Sequence, residues 1–334
     1  MSLESTARYI GRRFFLYNTI CEVILHSRED DAVQILDACE DEANRIQAML
    51  NLYDPFSELS RLNKGYCPGE PYRLSESLYA FQENIHNLTE ITGGAFDATV
   101  GFLMRLWDIT ARHPTIPSDM EIREAMAHVG YRHLSFLPRE RAVVIDIPGL
   151  VLDTGGAGKG YAVGCVAECL RGYGVTSASV DFGGNLNVLG PYRAGEWDSR
   201  PWRVGVQRPW GKLGDAIGFL DLQDEAVATS GAYDRYFTDA NQIYHHILDP
   251  RTGRPVRNEV LGVTIVSDSP LLTDVLSTAF FVLGEEQGAQ AARRLRDRAA
   301  IEYLLVKQDE IVISAGLAKR FHPAAELKIK VRSD

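Results

Sequence analysis

Helical and strand-like patterns in this chain come in blocks and do not alternate. Three stretches of the first half, 31–50, 74–91 and 118–129, repeat apolar residues at helical spacing. The second ends at Gly93-Gly94, and the third opens on Ser118 with Glu121 three residues later, a capping-box pattern. Residues 14–25 read as one strand, and residues 51–65, with their Asp54-Pro55 punctuation, as loop. Short strand-like runs then crowd together at 142–147, 150–153, 177–181, 186–189, 202–206, 218–222, 226–229, 233–238, 242–248, 260–266 and 301–305. Helices are expected from the glycine-rich stretch near 158 and at 270–283. A doubly wound parallel sheet needs strict βαβ alternation, so the pattern predicts an α+β fold with a largely antiparallel sheet and packed helices. No repeat and no Pro/Ser-rich linker interrupts it. One unit over 10–325 is expected, with two sub-lobes meeting near residue 150.

Composition removes several function classes. Thirty-five Lys and Arg against 45 Asp and Glu give a net charge of −10, which is the wrong sign for a nucleic-acid footprint. An anionic small molecule remains admissible if the site brings its own cation. Thirteen Phe, 14 Tyr and four Trp exclude disorder as the main state. No apolar run is long enough to span a membrane. The five cysteines, Cys21, Cys39, Cys67, Cys165 and Cys169, have no disulfide or zinc spacing and read as packing residues of a reducing compartment. The chain as it stands points to the cytoplasm. A leader lost ahead of Met1-Ser2-Leu3 would point instead to the periplasm or a lipid anchor.

Four constellations carry chemistry. Asp153-Thr154-Gly155-Gly156-Ala157-Gly158-Lys159-Gly160-Tyr161 follows an apolar strand and precedes a helix. Such a loop either cradles a phosphate at a helix N-terminus or is a tight turn; it is not a Walker A. In Ser269-Pro270-Leu-Leu-Thr-Asp274-Val-Leu-Ser-Thr278, Ser269 and Pro270 suit N-cap and N1, and Asp274 and Thr278 share a face. Among apolar neighbours, the carboxylate needs a cation: a hard metal ion such as Mg²⁺, or an arginine elsewhere. His245 and His246 precede an Asp249-Pro250-Arg-Thr-Gly253 turn. In a strand they face opposite sides, and one must point inward, as an acid/base or as a core histidine. Ser230, before Gly231, lacks the setting of a hydrolase nucleophile.

In this order, the segments resemble the ApbE family of FAD:protein FMN transferases. The resemblance rests on Tyr53-Asp-Pro-Phe-Ser57-Glu-Leu-Ser60-Arg61-Leu-Asn63, Gly93-Gly94-Ala95-Phe96-Asp97-Ala-Thr99-Val-Gly101, Asp153 to Ala162, Gly183-Gly184-Asn185, Ala228-Thr229-Ser230-Gly231, His246-Ile247-Leu248-Asp249-Pro250-Arg-Thr252-Gly253 and Asp274 to Thr278. It implies an ApbE-like fold around a flavin cleft. It also implies Mg²⁺-dependent transfer of FMN from FAD to a Ser or Thr hydroxyl of a target flavoprotein, with AMP released. Mn²⁺ would serve the same ligands.

By the same likeness, Asp274, Thr278 and the carbonyl of Gly156 are expected to bind the metal. Tyr17, Tyr53, Ala95, Phe96, Asp97, Asp153, Lys159 and Ile247 are expected to contact the flavin nucleotide. His246 is expected to help deprotonate the attacking hydroxyl. Where the family has Met-Gly-Thr, this chain has Tyr17-Asn18-Thr19. Phosphoryl transfer is mainly positioning and charge neutralisation, and a metal, a lysine and glycine-loop donors meet that need. The rival readings are an FAD pyrophosphatase, with water as acceptor, and a flavin-binding protein without catalysis.

Overall fold

The computed structural model describes residues 8–195, 198–212 and 214–333; the Met1-Ser2-Leu3 start lies outside them. Its centre is a nine-stranded sheet in the order Arg8–Leu16, Thr19–Ser27, Ala178–Phe182, Asn185–Leu189, Ala226–Gly231, Gly262–Ser267, Glu302–Val306, Ile311–Ser314 and Ile329–Arg332. Every pairing is antiparallel except the last, Ile311–Ser314 with Ile329–Arg332. The expected α+β class with a largely antiparallel sheet is therefore the observed one.

Strand alternation sorts the sheet's side chains onto two buried faces. Val263, Ile265, Tyr303 and Leu305 join one cluster; Val266, Leu304 and Val306 join the other. The first face is covered by three helices, α1 (Glu29–Leu50), α6 (Gly158–Gly172) and α7 (Pro270–Leu295). The second is covered by a three-stranded sheet of Trp202–Gln207, Ala216–Leu222 and Phe321–Pro323. Burial on both sides explains why Gly262–Ser267 has no exposed residue, its polar Thr264 and Ser267 included. Helices α2 (Glu58–Gly65), α3 (Glu76–Ile91), α4 (Gly101–Trp107) and α5 (Asp119–Met126) lie between the first hairpin and α6 in sequence.

Local rules explain where elements start. Ser118 caps α5 and Glu121 returns the bond, the full capping box. Ser269 caps α7 with Pro270 at its first turn. The structure corrects four boundaries. Residues 14–25 form no single strand: Tyr17 and Asn18, at φ 53° and 56°, make a two-residue turn that folds Arg8–Leu16 onto Thr19–Ser27. The expected loop at 51–65 contains α2, capped by Ser57. Residues 150–153 contribute only an isolated bridge, Val151 with Val100. The helix expected to stop at 283 breaks at Gly284 (φ 71°, ψ −173°) and then resumes to Leu295.

Candidate active site

The glycine loop is anchored at its start. Asp153 N donates to Ala98 O at 2.7 Å, and Asp153 Oδ1 accepts from Gly155 N at 2.8 Å. Burial pushes the Asp153 carboxyl up, while Arg105 and Arg235 pull it down. The loop runs into the N-terminus of α6, which crosses α7 closely. A Cβ on Gly160 would lie 2.3 Å from Pro270 O and 2.6 Å from Asp274 Cβ. Glycine therefore lets the backbone reach α7, and Gly160 N donates to Asp274 Oδ2 at 2.8 Å. Gly160→Ala should separate the two helices and cost at least about 2 kcal/mol, as overpacking of a closed contact does. A urea melt checks this; an unchanged midpoint would contradict it.

Asp274 is 4% exposed and is held by more than one group. Lys159 Nζ is 3.9 Å from its Oδ1. Asn185 lies between them: with its amide nitrogen toward Asp274, it donates to Oδ1 at 3.1 Å and accepts from Lys159 Nζ at 2.9 Å. The tight turn at Gly183-Gly184, φ 61° and 89°, starts the strand on Asn185. On α7, one turn beyond Asp274, Thr278 Oγ1 lies 3.3 Å from Ser230 Oγ and 3.4 Å from where a Gly156 Cβ would stand. Gly156 also lies against the Phe96 ring, 3.1 Å from that same Cβ position. Carboxylate, hydroxyl and loop carbonyl are all hard oxygen donors. Such donors suit a hard cation, which takes few protein oxygens.

The strand expected over 242–248 ends at His245, so His246 lies in the bend beyond it, and the inward ring, His245, is not the acid/base candidate. His245 is buried. Its Nε2 bonds Val256 O at 2.9 Å, its Nδ1 accepts from Ile247 N at 3.3 Å, and Phe281 meets it edge-on. His246 is partly exposed, and its Nδ1 faces Arg235 O at 3.3 Å. A carbonyl can only accept, so Nδ1 carries the proton and Nε2 keeps its lone pair. Burial, then the cations Arg235 and Lys159, push this imidazole down to about 4. Asp234, whose carboxyl is raised by burial, feels the same Lys159 and Arg235 charges.

The other expected contacts are dispersed. Tyr53 is 92% exposed, a ring face open to solvent. Tyr17 OH donates to Ala43 O at 2.7 Å, and its ring stacks on Phe182. Ala95, Phe96, Asp97 and Ile247 are buried. Both Asp97 oxygens are engaged, Oδ1 by the Thr99 amide and hydroxyl and Oδ2 by Tyr131 N, so this side chain shapes its turn. Sequence reasoning did not single out Asn185 as a site residue. Its signal is a polar side chain opening a buried strand directly after a glycine pair.

A glycine loop at a helix start, with a lysine and a carboxylate gathered beside it, is an arrangement suited to a phosphate-bearing ligand. The chain belongs to the ApbE family, whose model matches residues 17–302. It is 34% identical over 249 residues to a protein of Vibrio cholerae named FAD:protein FMN transferase, covering 74% of this chain and 72% of that one. The solved ApbE protein of Thermotoga maritima superposes with a TM-score of 0.80 at 32% identity, over 90% of this chain and 94% of that chain. The flavin transferase ApbE of Vibrio cholerae gives 0.82 at 28% identity, over 94% and 99%.

Proposed function

We propose that this chain transfers FMN from FAD to a Ser or Thr hydroxyl of a target flavoprotein, releasing AMP. The observation that carries this reading is the meeting of Lys159, Asp274 and the Gly155-Gly156 loop at the start of α6. In this reading the acceptor hydroxyl oxygen bonds to the FMN-side phosphorus, the bridging P–O bond breaks, and AMP takes the leaving electron pair. His246 Nε2 receives the hydroxyl proton, being neutral near pH 7. Lys159 and the α6 N-terminus offset phosphate charge.

Asp274, Thr278 and the Gly156 carbonyl would hold Mg²⁺ or Mn²⁺. Bound there, the metal would polarise phosphoryl oxygens and neutralise leaving-group charge. The donor set suits it, since Mg²⁺ takes few protein oxygens and completes its shell with phosphate and water. Tyr53 offers its open face for stacking on a flavin or adenine ring. Tyr53→Ala should raise the KM for FAD by about 2- to 10-fold while leaving the melting temperature unchanged; an unchanged KM would remove Tyr53 from the site.

The test is incubation with FAD and a carrier flavoprotein, with and without Mg²⁺. Intact mass reads the carrier, and chromatography reads the nucleotides. A carrier heavier by one FMN, with AMP released only when Mg²⁺ is present, is the expected result. FMN and AMP without a gain on the carrier would make water the acceptor. Intact, bound FAD would leave only flavin binding.

A further inference from the structure

Threonine hydroxyls inside helices usually bond back to the carbonyl three or four residues earlier. Thr89, Thr92 and Thr273 do so here, to Ile85 O, Leu88 O and Pro270 O at 2.8–2.9 Å. Thr278 does not. Its neighbour Ser277 takes the Asp274 carbonyl instead, donating at 2.9 Å. Ser230 Oγ, on the strand Ala226–Gly231, lies 2.8 Å from Ser277 Oγ and 3.3 Å from Thr278 Oγ1.

Each hydroxyl has one proton. A carbonyl cannot donate, so Ser277 spends its proton on Asp274 O. Ser277 Oγ can then only accept from Ser230. Ser230, its own proton committed, can only accept from Thr278. The direction of the whole chain follows: Thr278 to Ser230 to Ser277 to the Asp274 carbonyl. Thr278 thus gives its proton away from the glycine loop, and its oxygen faces Gly156 as an acceptor.

We infer that Ser230 and Ser277 are positioning residues that orient the Thr278 hydroxyl as a ligand for a divalent cation. Ser230 is therefore no nucleophile: its hydroxyl is a middle link in the relay. Ser277 is 1% exposed and acts wholly through Ser230. This inference rests on the metal reading proposed above. It goes further in making two residues that donate nothing to the metal decide how well it binds. Removing either link frees a proton to turn onto Thr278 or leaves Thr278 without its acceptor. Partners behind a ligand are commonly worth about 10- to 100-fold in metal affinity.

The experiment titrates the full-length protein with Mn²⁺ alone and follows free Mn²⁺ by electron paramagnetic resonance. Thermal melts confirm that each variant is folded. Ser230→Ala and Ser277→Ala should each weaken Mn²⁺ binding about tenfold or more. The double variant should be no weaker than the worse single, because both cut one chain. Ser230→Thr, which keeps the hydroxyl, should bind as the wild type does. Folded Ser230→Ala and Ser277→Ala that bind like the wild type, while Asp274→Ala does not bind, would overturn the relay and leave the metal site standing. A wild type without saturable Mn²⁺ binding would overturn the metal site and the relay with it. Ser277→Ala also stands alone as a test if Ser230→Ala does not fold, since it leaves the strand untouched.

Discussion

His246→Ala should still bind FAD but lose FMN transfer by about 10²- to 10⁴-fold, the usual worth of a general base. The reason is local. Arg235 is bonded to His246 twice through its carbonyl, from the backbone N at 3.1 Å and from Nδ1 at 3.3 Å, which fixes the ring and its tautomer. His245 does not duplicate Nε2, because it is committed to Val256 and Ile247. The pH dependence has a definite sign. The folded imidazole is held down to about 4, below its ordinary value of 6.5, first by burial. The base form is thus present throughout the neutral range, and the wild-type rate should show no histidine limb near 6.5. In the unfolded chain the same ring protonates near 6.5. Its contribution to stability is whole above that pH and is lost as pH falls toward about 4. His246→Ala should therefore lose less stability than the wild type between pH 7 and pH 5. Stopped-time transfer assays and urea melts across that range read both effects. Transfer within a few-fold of wild type, with FAD binding intact, would remove His246 from the chemistry.

Much of the scaffold was legible because several of its helices are amphipathic and some, α3, α5 and α7, open on a capping serine. α1, α3 and α5 bury one stripe each, and a 3.6-residue period reveals that, whereas α7 is buried almost all round from Leu272 to Val282 and shows itself by its Ser269-Pro270 start and its apolar length. α2 was hidden because Asp54-Pro55 is loop chemistry and the helix behind it is only eight residues long. The first hairpin was hidden because its turn is Tyr17-Asn18, with no glycine to mark positive φ. Pairing across long separations was beyond reach: nothing local in Thr19–Ser27 says that it lies against Ala178–Phe182.

The candidate site divides in the same way. Asp274 and Thr278 are four apart on one helix, and Lys159 follows a glycine loop, so sequence brings them forward. Asn185 and Ser230 reach the site from two separate strands of the sheet, and only the folded sheet places them against α6 and α7. For the histidine pair, the alternation argument needed both in one strand, and the strand ends at His245. Which face holds the core was decided by Val256 and Phe281, residues that only the tertiary fold brings to His245.

Asp274→Ala should abolish the divalent-metal dependence of transfer and lower the rate at saturating Mg²⁺ by at least about a hundredfold, since a metal at a phosphoryl group is worth several kcal/mol. The carboxylate also holds the fold together, and the two roles need separating. Its Oδ2 accepts from the buried Gly160 N at 2.8 Å, and its Oδ1 meets Asn185 and Lys159. Alanine leaves Gly160 N–H unpaired, at a cost of about 1–3 kcal/mol, and takes from Lys159 the carboxylate 3.9 Å away, leaving it Asn185 as its hydrogen-bond partner. Asp274→Asn keeps an oxygen for Gly160 and removes the charge. If the carboxylate served only to fix α6 against α7, Asp274→Asn would keep near-normal, metal-dependent transfer. If it holds the cation, Asp274→Asn should be folded like the wild type, judged by its melting temperature, yet respond to Mg²⁺ no better than Asp274→Ala. Metal-dependent turnover retained in both variants would exclude Asp274 as a ligand. In that event the metal would have to be held elsewhere.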